Sequence, residues 1–247
     1  MNNTGSASVA CYEEIAAEYY DPRLHPTCRD LRKLSDQFFR SHLSAGLPDD
    51  GDLVEMGPGS STLAPLVAAM GALSRVILVD SSRRMLSYSD QWIAAGARSV
   101  VASAEATGLR SGSASLIVSS LGDPYNIPEF WREVARLLKP NGRCLFTTPS
   151  FKWSSHFRSG SDQEVAEFLR SDGARLFMPS YVRDEKQQMS MVEAAGLLVE
   201  EWEAFGTELL DAEPAPKLLC VRTGTPVVSA YVVKAASQCC ESRPQGL

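Results

Sequence analysis

The sequence predicts an α/β fold in which parallel strands alternate with helices, and three features predict it. The stretch Asp52-Leu-Val-Glu-Met-Gly-Pro-Gly-Ser-Ser-Thr62 reads as a short buried strand, Leu53 to Met56, that breaks at Gly57 and Gly59 and restarts as a helix near Ser60 or Ser61. The run Arg75-Val-Ile-Leu-Val-Asp80 has the unbroken aliphatic character of a parallel strand covered on both faces. Further apolar runs then alternate with helix-spaced segments as far as Pro149, the pattern of strand–helix–strand units.

The glycines let backbone approach a ligand closely. Ser60, Ser61 and Thr62 can cap the following helix, whose free N–H groups face the turn. A dinucleotide site wants an apolar strand end here and a third glycine three places after the second. Instead the strand carries Glu55 and the third place holds Thr62. An acid beside the turn repels phosphate but suits a ligand with ammonium and sulfonium groups, such as S-adenosylmethionine (SAM). Asp80 follows at about the spacing of the ribose-binding acid in a nucleoside fold and can accept both ribose hydroxyls. Its other reading is a cap for the helix starting at Ser81 or Ser82.

In this order, Val54-Glu-Met-Gly-Pro-Gly-Ser60, Val79-Asp-Ser-Ser-Arg-Arg-Met-Leu86, Ser103-Ala-Glu-Ala-Thr-Gly-Leu109 and Leu137-Leu-Lys-Pro-Asn-Gly-Arg143 resemble successive signatures of the class I SAM-dependent methyltransferases, small-molecule (methyltransferase type 11-like) branch. The resemblance covers residues 10 to 150 and implies a doubly wound seven-stranded Rossmann-like sheet with an N-terminal helical lid over residues 1–45. It implies one domain over residues 1–236, with SAM as cofactor. The SAM contacts it implies are Glu55, Gly57, Pro58 and Gly59 at the turn, Asp80 and Ser81 at the second strand, and Ser120 after the fourth. Ser103, Ala104 and Glu105 occupy the family's adenine loop, although Glu105 also reads as a solvated side chain. Tyr19-Tyr20-Asp21 resembles the family's Tyr-Asp pair near the methionine end of SAM. Adjacent tyrosines face different ways, so Tyr20 is taken as the contact, against the reading of both as packing aromatics.

Taken in order, residues 1 to 10 are small and polar and read as loose. Tyr12 to Tyr20 turns helical until Asp21-Pro22 and His25-Pro26 force a bend. Thr27 to Leu43 is an amphipathic helix with Leu31, Leu34, Phe38 and Leu43 along one face. After Asp80 a helix runs to Ala95 and stops at Gly96, with Met85, Leu86 and Trp92 as core contacts. Ser99 to Ala102 and Ala114 to Ser120 are the third and fourth strands, and Ile127 to Leu138 is a helix. Lys139-Pro-Asn-Gly142 ends that helix, and Arg143 to Pro149 is the fifth strand. Asp184 to Ala195 is helical, Leu198 to Phe205 and Val227 to Ala235 are strands, and residues 206–226 form a loop without assignment. In the family such a final strand pair closes the sheet as an antiparallel hairpin. From Ser237 on the tail reads as disordered.

In an open α/β sheet, ligands bind beyond the carboxyl ends of the strands. That makes Ser119 to Asn126 the catalytic neighbourhood. Its Gly122-Asp-Pro-Tyr-Asn126 resembles the Asp-Pro-Pro-Tyr motif of amino methyltransferases acting on nucleobases, with Tyr125 as the stacking residue but without the second proline. The alternative is that Asp123-Pro124 is turn chemistry entering the next helix, which the surface charge favours. Residues 150–181 form a substrate-shaping insertion in which Phe151, Trp153, His156, Phe157 and Arg158 suit a planar or anionic acceptor. Within it, Glu164 to Leu169 reads as a short helix, and the alternative for the segment is a surface hairpin with its own small core. A hydroxyl acceptor needs a base, for which His25 and His156 are the candidates.

A net charge of −6 gives no attraction to a phosphate backbone, so nucleic acid is not the expected partner. No apolar run approaches the ~20 residues needed to cross a bilayer, and the first residues lack a signal-peptide pattern, so a cytoplasmic protein is expected. Six scattered cysteines indicate neither a zinc site nor a disulfide framework, and no metal is required. The expected function is methyl transfer from SAM to an N, O, S or C atom of a small molecule. A nicotinamide-dependent oxidoreductase and a non-catalytic SAM-binding module are the rival readings.

Overall fold

The computed structural model describes residues 4–158 and 164–236. Two helices come first, α1 (Thr4–Ile15) and α2 (Pro26–Leu43), the second opened by a proline at its first turn, where no donor is lost. β1 (Asp52–Met56) follows, then α3 (Leu63–Ala68), then β2 (Val76–Asp80), which lies parallel to β1 with Leu53 opposite Val76. α4 (Arg83–Leu86) and α5 (Asp90–Ala94) lead into β3 (Arg98–Val101), and β4 (Ala114–Ser119) returns to the other side of β1. α6 (Pro128–Leu137), β5 (Leu138–Pro149) and α7 (Phe151–Ser154) come next. A separate two-stranded hairpin, β6 (Val165–Leu169) and β7 (Arg175–Pro179), precedes α8 (Glu185–Ala194), β8 (Leu197–Phe205) and β9 (Val228–Ala235).

The main sheet has seven strands in the order β3-β2-β1-β4-β5-β9-β8, parallel from β3 to β5, with β9 antiparallel to both its neighbours. Strand alternation builds a core on each face. Leu53, Leu78, Leu116 and Val118 pack under Leu34, Phe38, Phe39 and Leu63 of α2 and α3. Val54, Ile77, Ile117 and Phe146 pack under Phe130, Trp131 and Val134 of α6 and Val192 of α8. Each such side chain contributes about 1.5–3 kcal/mol on burial. Strand order reverses between β1 and β4, so their carboxyl ends open a crevice between them.

Several elements differ from expectation. The chain is helical from Thr4 rather than loose, and the helix ends at Ile15, with Ala16 to Tyr20 in turns. The helix after β1 begins at Leu63 instead of Ser60 or Ser61, because the Ser61 side chain is turned inward to accept from the Ala64 N–H. The helix expected from Ser81 to Ala95 is split at Ser87–Ser89, where serine side chains compete for backbone partners. Ser89 Oγ donates to Gly59 O at 2.6 Å and accepts from Ser61 N at 2.9 Å, tying this break to the glycine turn. Trp92 is only half-buried. β5 starts at Leu138, with the Lys139–Gly142 breakers absorbed by a register shift against β4. Glu164 to Leu169 is not a helix, since Val165–Leu169 pairs with Arg175–Pro179 around Gly173, as the hairpin alternative has it. The 206–226 connection contains two 3₁₀ turns and buries Ala215 and Leu218, with Ala215 N donating to Asp30. The tail from Ser237 lies outside the described residues. Among the described residues no helix is long and apolar enough to cross a membrane.

Candidate active site

At the end of β1, Gly57 and Gly59 have φ of +62° and +47°. Tyrosine hydroxyls are packed onto this turn, which leaves no room for a side chain. A Cβ at Gly57 would lie 2.6 Å from Tyr125 Oη, and one at Gly59 would collide with Tyr20 Oη. Tyr20 Oη accepts from Ser60 N at 2.7 Å, while Tyr125 Oη donates to Met56 O at 2.7 Å and meets Ser119 Oγ at 2.9 Å.

Glu55 lies beneath the turn, not beside a ligand. Its buried carboxylate accepts from Thr62 N at 2.8 Å, Leu63 N at 3.3 Å and Ser61 Oγ, and so caps α3. Burial pushes its pKa up to about 7 against the pull of these hydrogen bonds. The expected direct contact with a cation is therefore corrected: Glu55 spends its charge on the helix N-terminus. Gly59 also stays out of the cavity wall, its N–H donating to Asp80 Oδ2 at 3.2 Å. Asp80 Oδ1 accepts from Ser82 N at 2.9 Å, and burial raises this carboxyl to about 6. Asp80 thus braces Ser82, whose hydroxyl caps α4 by accepting from Met85 N at 3.1 Å, and also lines the cavity.

The crevice holds a cavity of ≈ 180 Å³. Tyr20, Gly57, Pro58, Asp80 and Ser81 line it, as do Ser103, Ala104, Glu105, Ser120 and Tyr125. Ser103 Oγ donates to the Glu105 carboxylate, and Glu105 N donates back to Ser103 Oγ at 3.2 Å, so this loop is closed on itself rather than solvated. Arg32 of α2 lines the cavity unforeseen, its guanidinium 4.6 Å above the Tyr20 ring and 5.4 Å from the Tyr19 centroid. Arg32 Nη1 and Ser120 Oγ are buried there without a hydrogen-bond partner, an expensive arrangement unless a ligand supplies one.

A second cavity of ≈ 330 Å³ adjoins the first, and Tyr12, Tyr19, Leu121, Pro124 and Pro179 line both. Leu121, just after β4, is the one non-glycine at positive φ (+51°) among the described residues, and its N–H donates to Thr147 Oγ1 at 2.9 Å. Non-glycine strain of this kind concentrates at functional sites. His25 lines this second cavity, 7% exposed, with Nε2 lacking a hydrogen bond and 3.9 Å from Glu18; burial lowers its pKa and keeps it neutral. His156 is exposed, its Nδ1 against Lys152 O at 2.9 Å, and lines neither cavity, so its role as base is withdrawn. Tyr125 lines only the first cavity, with its hydroxyl turned onto the glycine turn. Asp123, at the junction, accepts from Ser180 Oγ, and Tyr181 N donates to its carbonyl at 2.7 Å. Among the described residues, His42, Glu201 and Glu203 could hold a metal ion, but they line neither cavity.

A seven-stranded sheet of this order, with a glycine turn, a strand-ending acid and a cavity at the switch point, defines the class I SAM-dependent methyltransferase fold. Residues 54–146 match the family model described as a methyltransferase domain. The chain thus carries a match to a methyltransferase domain over residues 54–146 and has the fold of the SAM-dependent methyltransferases. It is similar to a SAM-dependent methyltransferase from Clostridium acetobutylicum ATCC 824, at 17% identity over 92% of this chain and 99% of that one, with a TM-score of 0.61. It is also similar to the CcbJ methyltransferase from Streptomyces caelestis, at 15% identity over 96% and 100% of the two chains and a TM-score of 0.62. A third similar structure is the Burkholderia thailandensis 1,6-didemethyltoxoflavin-N1-methyltransferase with bound 1,6-didemethyltoxoflavin and S-adenosylhomocysteine (SAH), at 13% identity over 96% and 92% and a TM-score of 0.55. No curated protein matches the chain.

Proposed function

We propose that this chain methylates a small molecule held in the second cavity, using SAM bound in the first. The observation that carries this reading is the adjacency of the two cavities, which share Leu121 and Pro124 as lining at the carboxyl end of β4. SAM supplies an electrophilic sulfonium methyl group.

The residues present fit that ligand. Asp80 offers carboxylate oxygens to the ribose hydroxyls, and the Ser103–Glu105 loop offers polar groups to the adenine. The orphaned Nη1 of Arg32 suits the amino-acid carboxylate, at the end of the cavity marked by Tyr20. The glycine turn brings main chain close to the ligand, and the enclosing aromatic rings exclude water and hold acceptor and methyl together.

A nucleobase acceptor is disfavoured by Tyr125, whose hydroxyl is committed to Met56 and Ser119, and by the net charge of −6. A binding module without turnover has no use for the second cavity. Free thiols at Cys11, Cys28, Cys144 and Cys220 suit a reducing compartment, so the cytoplasm is where we expect the protein. The test is parallel calorimetric titration with SAM, SAH and NAD. Micromolar binding of the adenosyl ligands without response to NAD is the expected result, and binding of NAD alone would refute the reading.

A further inference from the structure

The acceptor chamber, as that reading assigns it, has a chemistry of its own. Its wall is mostly apolar and aromatic, with Trp153, Phe157, Phe168 and Phe177 among its rings. Its rim is unusual for a soluble surface: Leu24, Phe157, Leu169 and Phe177 all line the chamber yet remain 39–58% exposed. Contiguous exposed apolar side chains around a concave site mark a ligand with an apolar body.

The charges are arranged against a cationic acceptor. Glu167 is paired with Arg175 at 3.1 Å, and Arg158 and Asp123 lie close enough to shift each other. Lys217 Nζ stands 5.0 Å from the Phe157 centroid and 6.0 Å from that of Trp153, without a carboxylate within ion-pair distance among the described residues. With Glu167 paired and Asp123 offset by Arg158, Lys217 is the charge in this lining that no ion pair offsets among the described residues, and it favours an oxygen gaining negative charge over an ammonium. The inner end, where the nucleophile must sit, is marked by Asp123. Leu121 and Pro124, on either side of it, line both cavities. Ser180 Oγ donates to Asp123 Oδ2, and Arg158 in turn holds Ser180 through Nη1 to its carbonyl and Nη2 to its hydroxyl, at 2.5 and 2.7 Å. The carboxylate is thereby fixed in orientation. His25, the other candidate base, lines only the acceptor chamber.

We infer that the acceptor is an apolar-bodied phenol or enol, and that Asp123 is the general base that takes its proton. The O–H bond breaks toward Asp123 Oδ as the O–CH₃ bond forms, and the electron pair of the breaking S–CH₃ bond remains on sulfur. Asp123 then releases its proton to water. Burial raises the Asp123 carboxyl to about 6, so it is ionised at neutral pH yet more basic than an exposed aspartate. The ionisable groups facing it are Arg158, Tyr12, Tyr19, Cys28 and Tyr125. Burial pushes the tyrosines and the thiol up, so Arg158 is the charged one among them near pH 7.

The test is a panel of aryl- and alkyl-substituted phenols with matched anilines, assayed with SAM by SAH release. Phenols should turn over and anilines should not. For the best phenol, measured with SAM kept saturating at every pH, kcat/KM should fall below about pH 6, and Asp123→Asn should lower kcat at least a hundredfold while SAH binding stays within twofold, which also shows that the variant folds. Ser180→Ala, which removes a hydrogen bond to the carboxylate, should move the acid limb to higher pH with a smaller loss of rate. Anilines methylated as fast as phenols, kcat within threefold in Asp123→Asn, or an acid limb that vanishes in His25→Gln instead would each overturn the assignment. A panel that stays silent while SAH binds would also overturn it and leave the methyltransferase reading standing. Failure of SAM and SAH to bind would overturn that reading itself.

Discussion

Asp80 serves two partners with one carboxylate, accepting from Gly59 N and Ser82 N, and also lines the cavity. Replacement by Asn keeps its size but removes the charge and turns an NH₂ toward a backbone donor. Asp80→Asn should therefore weaken SAH by more than tenfold, about 1.4 kcal/mol, in a calorimetric titration. Arg32 is separable from it in the same assay. Arg32→Met should weaken SAH by about tenfold or more yet leave 5′-methylthioadenosine, which lacks the amino-acid end, unchanged. Equal losses with both ligands would place Arg32 away from the carboxylate. Asp80 was legible in the sequence because its chemistry is local: an aliphatic strand ending in an acid, at a fixed distance from a glycine turn. Arg32 was not, because an arginine on a helix face looks solvated until the rings of Tyr19 and Tyr20 fold against it. Glu55 shows the converse: the acid was visible, but its target, the α3 N-terminus, depended on where that helix began.

The strand–turn–helix unit from β1 to α3 is held from inside by Glu55. Ser61 Oγ, Thr62 N and Leu63 N are all donors pointed at this one carboxylate. Glu55→Gln puts an NH₂ among them and should destabilise the protein by about 1–3 kcal/mol, read as a lowered midpoint in urea with unchanged slope. SAH affinity should fall with it, since the turn loses its support. The central strands, α2, α6 and α8 were readable from periodicity and end signals, and α8 carries a capping box at Asp184 and Gln187. Elements whose ends are set by tertiary partners were not. The serines at 87 and 89 split one expected helix into two, and β6 took its conformation from pairing with β7 rather than from its own pattern. The second cavity draws on the stretches 12–31, 121–124, 149–158, 165–180 and Lys217, so no local motif could announce it.

At the scale of the whole molecule, the fold leaves several carboxyls buried, and this sets how the protein responds to acid. Glu55 is pushed up to about 7, Asp80 and Asp123 to about 6, each chiefly by burial. The unfolded chain binds these protons only near the ordinary carboxylate range of about 4. Between that range and pH 6–7 the folded state therefore holds more protons than the unfolded one. Their stabilising effect is fully present below pH 4 and is lost as pH rises through 6 to 7. His25 acts in the opposite direction, because burial lowers its pKa and the unfolded chain gains a proton first as pH falls. Three carboxyls outweigh one imidazole, at up to about 1.4 kcal/mol per pH unit for each group. The ligand-free Tm should thus rise between pH 7.5 and 5.5. Ligand binding should run the other way, since ribose hydroxyls need the ionised Asp80, and SAH affinity should fall below about pH 6 by as much as tenfold per unit. Scanning calorimetry at both pH values, with and without SAH, reads both effects in one experiment: acid raises the ligand-free Tm and shrinks the increment that SAH adds. A ligand-free Tm that falls from pH 7.5 to 5.5 would mean these carboxyls are not buried as the fold places them. An SAH increment that grows in acid would remove the charge of Asp80 from cofactor recognition.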